Sequence, residues 1–167
     1  MGDQVSYPKG LFYALIVLLL FTTLMVTWAL VQSREIMLEW IIVLAAFLAV
    51  ETIITGITPL RGGISSEGGA LDIRMGLLFR MSIPFNKLES VEVFNGKMPI
   101  YMRYGVHLGP RKTVAAITSM KRILAIGTKA PVRAYLHGFP VKVVTFYISV
   151  DDPDAVIEMV RPVLGNK

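Results

Sequence analysis

Few side chains in this 167-residue sequence stand at the spacings that chemistry requires. The two histidines, His107 and His137, lie close to glycines in segments read as loops. Neither has a second histidine at i+4 or a carboxylate cluster beside it, as a metal site demands. The acid trio Asp151, Asp152 and Asp154 lacks the twelve-residue ligand pattern of a calcium loop. Ser149 is close to that trio, but a nucleophilic serine needs a base and an orienting acid, and helix capping accounts for the aspartates. Asn95-Gly96-Lys97-Met98 has neither the glycine spacing of a phosphate-binding loop nor the Ser/Thr that would hold magnesium. Cysteine is absent, which removes thiolate nucleophiles, disulfides and Cys-ligated zinc. The expectation is a protein that binds and does not catalyse, with no metal and no cofactor.

What the sequence does carry is positive charge, unevenly placed. From residue 59 onward there are 15 Lys+Arg against 8 Asp+Glu, so that part carries +7 and everything before it −2, giving +5 in all. Arg111-Lys112 and Lys121-Arg122 are the adjacent basic pairs, and Arg74 and Arg80 flank an expected hairpin. Basic residues near an anionic leaflet each contribute about 1 kcal/mol of attraction, so these six are candidate lipid- or partner-binding residues. A solvated basic face is the bland alternative. Nucleic acid is not expected as a partner, because basic and aromatic residues do not interleave.

These residues must be positioned by something, and the dominant elements are apolar. Residues 11–31 carry no charge over 21 positions, and residues 40–57 give 18 more broken by Glu51 alone. A helix needs about 20 apolar residues to cross a bilayer, and only helices satisfy their own backbone there. Helices at about 11–31 and 37–58 are therefore expected as a transmembrane hairpin within a first domain, residues 1–60. Residues 1–10 form a short interfacial leader, with Tyr7 and Tyr13 at headgroup depth. A signal peptide is set aside, because the apolar core exceeds 7–15 residues and a second span follows. The chain's opening also fits a loose myristoylation pattern, which adds little to two helices.

Glu51 is the conspicuous intramembrane polar residue. In an antiparallel hairpin it falls level with Thr22 and Thr23, whose hydroxyls can bond its carboxyl or return to their own helix. The loop between the helices offers Arg34 against Glu35 and Glu39, whereas Lys9 and Arg61 flank the other ends. The basic bias then puts both ends, and the soluble domain, on the cytoplasmic side of the plasma membrane, with a multi-pass anchor.

Residues 61–167 read as one small β-rich domain. Residues 70–75 alternate Leu71, Ile73 and Met75 against Asp72 and Arg74; strands follow at 78–83 and 88–94, with Val91 and Val93 set against Ser90 and Glu92. Residues 97–121 read as a long connection with one irregular strand. Strands return at 122–128, 132–136 and 142–150, the apolar runs suiting strands covered on both faces. Asp152 as N-cap, Pro153 at the first helical position and Asp154 in the first turn start a C-terminal helix, and Gly165 ends it. Val156, Ile157, Val160, Val163 and Leu164 form its apolar stripe, and Pro162 kinks or shortens it.

Two tracts carry a resemblance. Residues 78–94 hold SIPFNKLESVEVF, which resembles the "I-P-x-x-x-I-x-S-V" strand pattern of bacterial and archaeal pleckstrin-homology-like (PH-like) domains. Residues 143–160, VVTFYISVDDPDAVIEMV, resemble their closing strand and "S-x-x-D-P" corner into the last helix. The resemblance covers roughly residues 64–164 and implies an antiparallel β-barrel or sandwich capped by a C-terminal helix, often behind paired transmembrane helices. Its motifs are structural: Pro84 and Pro153 shape turns, while Ile83, Leu88, Val91 and Ile157 fill the core. The Lys…Lys/Arg-x-Arg signature of phosphoinositide-binding PH domains is missing.

The expected fold is thus membrane-anchored α+β, a two-helix hairpin followed by a PH-like domain. The expected function is a non-catalytic scaffold or binding module docking a protein partner, a second copy or the anionic lipid surface. The alternative is an accessory subunit of a larger membrane complex, with Glu51 as its intramembrane polar contact.

Overall fold

The structure, a computed structural model, describes residues 4–32, 38–57 and 62–165. The sequence readings at Arg34, Glu35 and Arg61, and at the myristoylation pattern's first residues, lie outside these. The protein is α+β: an apolar helix near the N-terminus, a large open mixed sheet and a C-terminal helix.

The apolar third begins as expected. Helix α1 spans Gly10–Gln32 without a charged residue and is long and apolar enough to cross a membrane. It is the one described helix of which that is true. Helix α2, Leu38–Glu51, has 14 residues and falls short, a correction to the expected second span at 37–58. The chain does not stop winding there but widens into a π-helical segment, Thr52–Ile57. Thr52 Oγ1 donates to the Leu48 carbonyl at 2.8 Å, and such back-bonding in a β-branched run ending in Gly56 loosens the i to i−4 ladder. Both α2 and the π segment pack along α1.

The sheet starts before the apolar helices. Residues Gln4–Val5 form β1, paired antiparallel with β2, Gly63–Glu67. The leader expected at the lipid interface is therefore part of the sheet at its first residues. Tyr7 is fully buried, against its expected headgroup position, and meets Phe12 edge-to-face with centroids 6.1 Å apart. Phe12, in the first turn of α1, joins the same core. Burial outweighs interfacial placement here because two aromatic rings remove more apolar area from water inside the domain.

Strands β3 (Ala70–Met75), β4 (Phe79–Pro84) and β5 (Leu88–Val93) follow, with a 3₁₀ turn at Phe85–Lys87. The alternation read at 70–75 holds: Leu71, Ile73 and Met75 are buried, as are Phe79, Met81 and Ile83 opposite. In β5 the alternation fails: Leu88 is buried but Val93 is exposed, after a register shift between Leu88 and Ser90.

The segment 97–121, expected as a connection, holds two strands, β6 (Gly105–Gly109) and β7 (Thr113–Ile117). His107 is accordingly on a strand, whereas His137 occupies a turn. Val114, Ala115, Ala116 and Ile117 are all buried, so β7 is covered on both faces and shows no period-two signal. It pairs parallel with β9 (Phe139–Ser149), which makes the sheet mixed rather than the expected all-antiparallel barrel or sandwich.

The expected strands at 122–128 and 132–136 are one, β8 (Ile123–Leu136). Its register against β9 slips between Gly127 and Val132, and Pro131 sits in that bulge, where no ladder donor is needed. The bulge also changes its neighbour, from β5 beside 124–128 to β4 beside 134–136. The order is β1-β2-β3-β4-β8-β9-β7-β6, with β5 also on β8. Phe79 and Phe146 stack at 4.8 Å in the core. Helix α3 (Pro153–Leu164) caps it through Val156 and Val160, with the Asp152 carboxylate accepting from Ala155 N at 3.1 Å; Pro162 does not stop it.

Candidate membrane-facing binding surface

Where the basic candidates lie follows from the strand registers. Gly63, the first residue of β2, pairs with Arg74, Arg74 with Arg80, Arg80 with Tyr135, and Tyr135 with Pro140. Directly opposed residues share a face, so Arg74, Arg80 and Tyr135 form one outward row beginning beside the first residue of β2. Two residues further along the β8–β9 pair, Arg133 pairs with Lys142, again on the outward face. Arg133, Lys142 and Tyr135 were missed from sequence. The available signal was the exposed positions of VRAYL and KVVTFYISV, whose partners depend on register.

This face is lopsided in charge. Across β3, β4, β8 and β9 the one acid is Asp72, 3.9 Å from Arg74. Among the described residues Arg80, Arg133 and Lys142 have no ion-pair partner. Arg80, Ser82, Arg133 and Tyr135 line an open recess of about 490 Å³, closed at one end by Gly76, Leu77 and Gly138 of two neighbouring turns. Those turns are tied by His137 N donating to the Leu78 carbonyl at 2.9 Å. His137 and Gly138 both take positive φ, 48° and 82°, as a two-residue hairpin requires.

The other basic pairs are separated by the structure. Arg111 and Lys112 occupy the Pro110–Lys112 turn before β7, both at positive φ, whereas Lys121 and Arg122 follow its far end. The length of β7 divides them, roughly 17 Å. Arg122 is tied to the residues that precede α1. Its Nη1 donates to the Asp151 carbonyl at 2.6 Å, and Asp151 N donates to the Ser6 carbonyl at 3.0 Å. The Ser6 hydroxyl also donates to the Asp151 carboxylate. Thus Arg74 and Arg122 stand where the helices meet the sheet, with Arg80 one strand further and Lys121 beside Arg122 in the chain; Arg111 and Lys112 lie at the other end of β7.

Where the helices meet the sheet Gly62 is buried, with no room for a Cβ beside the Arg74 carbonyl and the Tyr7 hydroxyl. The Tyr7 hydroxyl lies over the Gly62 backbone without a well-formed hydrogen bond. Burial pushes its phenol up beyond the usual tyrosine range, and the Gly62 backbone opposes this to a smaller extent.

Within the helices, Thr22 and Thr23 donate to the Leu18 and Leu19 carbonyls at 2.8 and 2.7 Å. Of the two options read from sequence, each hydroxyl proton takes the within-helix one. Glu51 is half-buried, the last residue of α2 before the π segment.

Ser149 is buried, and its Oγ accepts from Thr118 N at 2.7 Å and Ser119 N at 3.2 Å, and bonds Thr118 Oγ1 at 2.8 Å. It pins the loop after β7. Asp151 and Asp152 serve the leader contact and the α3 cap. Among the described residues no group of three or more His, Asp or Glu side chains is placed to hold a metal. No family model, no curated protein and no solved structure matches the chain.

Proposed function

We propose that this chain is a non-catalytic, membrane-anchored binding module whose β-rich domain docks on the anionic cytoplasmic leaflet. One observation carries the reading: both flanks of the apolar segment are strands of one sheet, β1 paired with β2. A chain that leaves a sheet and returns to it must cross a membrane an even number of times. If α1 crosses, residues 38–57 cross back, and their continuous winding through α2 and the π segment suits that return. The domain is then held against the bilayer with Arg74, Arg80, Lys121 and Arg122 around the anchor root, and its +7 charge fits the cytoplasmic side. The PH-like resemblance at residues 78–94 and 143–160 agrees with a binding role.

The absence of cysteine permits a direct test. Gln32→Cys, at the end of α1, and Glu67→Cys, in β2, are made singly and treated with a membrane-impermeant maleimide on intact cells. The Gln32→Cys chain labels from outside and the Glu67→Cys chain only after lysis. Labelling of both chains from outside, or of neither before lysis, overturns the reading.

A second reading has its own observation. The terminal strand β6 leaves one edge of the sheet open, and Ile100 (81% exposed), Tyr101, Tyr104 and Leu108 (55% exposed) stand on or beside it. An apolar patch beside an open edge suits strand addition by a protein partner or a second copy. Leu108→Lys and Ile100→Lys together then abolish self-association or partner capture and leave lipid behaviour unchanged.

A further inference from the structure

The recess between β4 and β8 has a composition that the fold itself does not need. Arg74 stands directly opposite Arg80, and Arg133 directly opposite Lys142. Like charges in such cross-strand positions repel at Cβ separations of roughly 5 Å and destabilise a sheet. Arg80 and Arg133 lie diagonally across the β4–β8 pair, roughly 7 Å apart at Cβ, and both line the recess with Ser82 and Tyr135. Two guanidinium groups, one hydroxyl and one phenol converging on an open cavity form a donor set for a tetrahedral oxyanion, which arginine grips with two parallel hydrogen bonds. Lys142 and Arg74 stand outside as additional positive charge, and among the described residues Asp72 pairs with Arg74 alone.

The surroundings choose among anions. Leu77, 62% exposed, is at the recess wall, and Phe139, 73% exposed, adjoins Gly138 at the same end of the sheet. Large apolar side chains held out beside a cationic recess suit a ligand with a charged head and an apolar body. The recess is also two strand spacings, roughly 10 Å, from Gly63, where the chain arrives from the anchor. We infer that Arg80 and Arg133, supported by Ser82 and Tyr135, bind the phosphate of an anionic phospholipid headgroup, with Leu77 and Phe139 at the acyl boundary. This rests on the proposed membrane-docking function and names its ligand.

The test uses the full chain in zwitterionic-detergent micelles and follows the arginine Nε–H resonances by NMR. Dihexanoyl phosphatidic acid, dihexanoyl phosphatidylcholine and inorganic phosphate are the three probes. Phosphatidic acid shifts the Arg80 and Arg133 resonances saturably, and phosphatidylcholine does not. R80Q/R133Q weakens that binding by about tenfold or more, whereas R111Q/K112Q leaves it unchanged. Inorganic phosphate binding as tightly as phosphatidic acid overturns the lipid assignment. Phosphatidic acid binding that survives R80Q/R133Q but is lost in K121Q/R122Q overturns this site while leaving membrane docking standing. No saturable binding, or shifts that track protein concentration without lipid, as a second copy on this face would give, also overturn it. The two-sided cysteine labelling judges the anchored-module reading separately.

Discussion

Gly62 lies so close to Tyr7 that a Cβ on residue 62 would overlap the tyrosine hydroxyl and, on its other side, the Arg74 carbonyl. This contact joins the segment arriving from the helices to the strand that precedes them, and both to β3. The start of β2 is thereby fixed against the residues just before α1 by a backbone-to-ring contact.

Gly62→Ala therefore destabilises the sheet domain by about 1–3 kcal/mol, because the obstruction includes backbone that cannot swing away. Thermal unfolding followed by near-ultraviolet circular dichroism measures it. A melting temperature unchanged from the parent chain shows that the root is looser than described.

Tyr7→Phe has the opposite sign. The buried hydroxyl lacks a good partner, so deleting it removes a desolvation cost and stabilises by about 1 kcal/mol, whereas Tyr7→Ala costs about 3–5 kcal/mol. A pH dependence accompanies this. The folded-state phenol titrates above the unfolded value of about 10, so above that pH the unfolded chain binds fewer protons than the native one. Stability due to Tyr7 is complete below pH ~10 and falls as pH rises, by at most about 1.4 kcal/mol per unit. Denaturant titrations at pH 9 and 11 on the parent and Tyr7→Phe chains read the difference, which widens toward pH 11 and stays constant if Tyr7 ionises freely when folded.

Ser149→Ala leaves two backbone donors, Thr118 N and Ser119 N, without their acceptor. The expected loss is about 1–3 kcal/mol, with faster hydrogen exchange at both amides. Ser149→Thr keeps the oxygen and is the control; exchange rates alike in all three chains would remove the pinning role.

The proposed docking on an anionic leaflet has a salt signature. In nanodiscs containing phosphatidylglycerol, trypsin cuts at Arg74, Arg80, Lys121 and Arg122 more slowly than in phosphatidylcholine alone, and about 1 M salt abolishes the protection because the Debye length falls to about 3 Å. Arg111 and Lys112, across β7, are cut equally in both. Uniform protection of all six basic sites contradicts the orientation.

Much of this molecule is written locally. The uncharged run of α1, the alternation in β3 and the Asp152-Pro153 start of α3 each rest on one residue's neighbours in the chain, through hydropathy, pleat and capping. Other features depend on partners distant in sequence. The run Thr113–Ile117 becomes a strand because β9 lies parallel beside it, and Pro131 is absorbed because β8 can bulge between two different neighbours. Tyr7 leaves the expected interface because β1 finds β2 across the whole apolar segment. The charged recess is the clearest case. Arg80, Arg133 and Lys142 are scattered exposed residues in the sequence, and only cross-strand register, fixed by which faces bury Met81, Ala134 and Val143, brings them onto one surface.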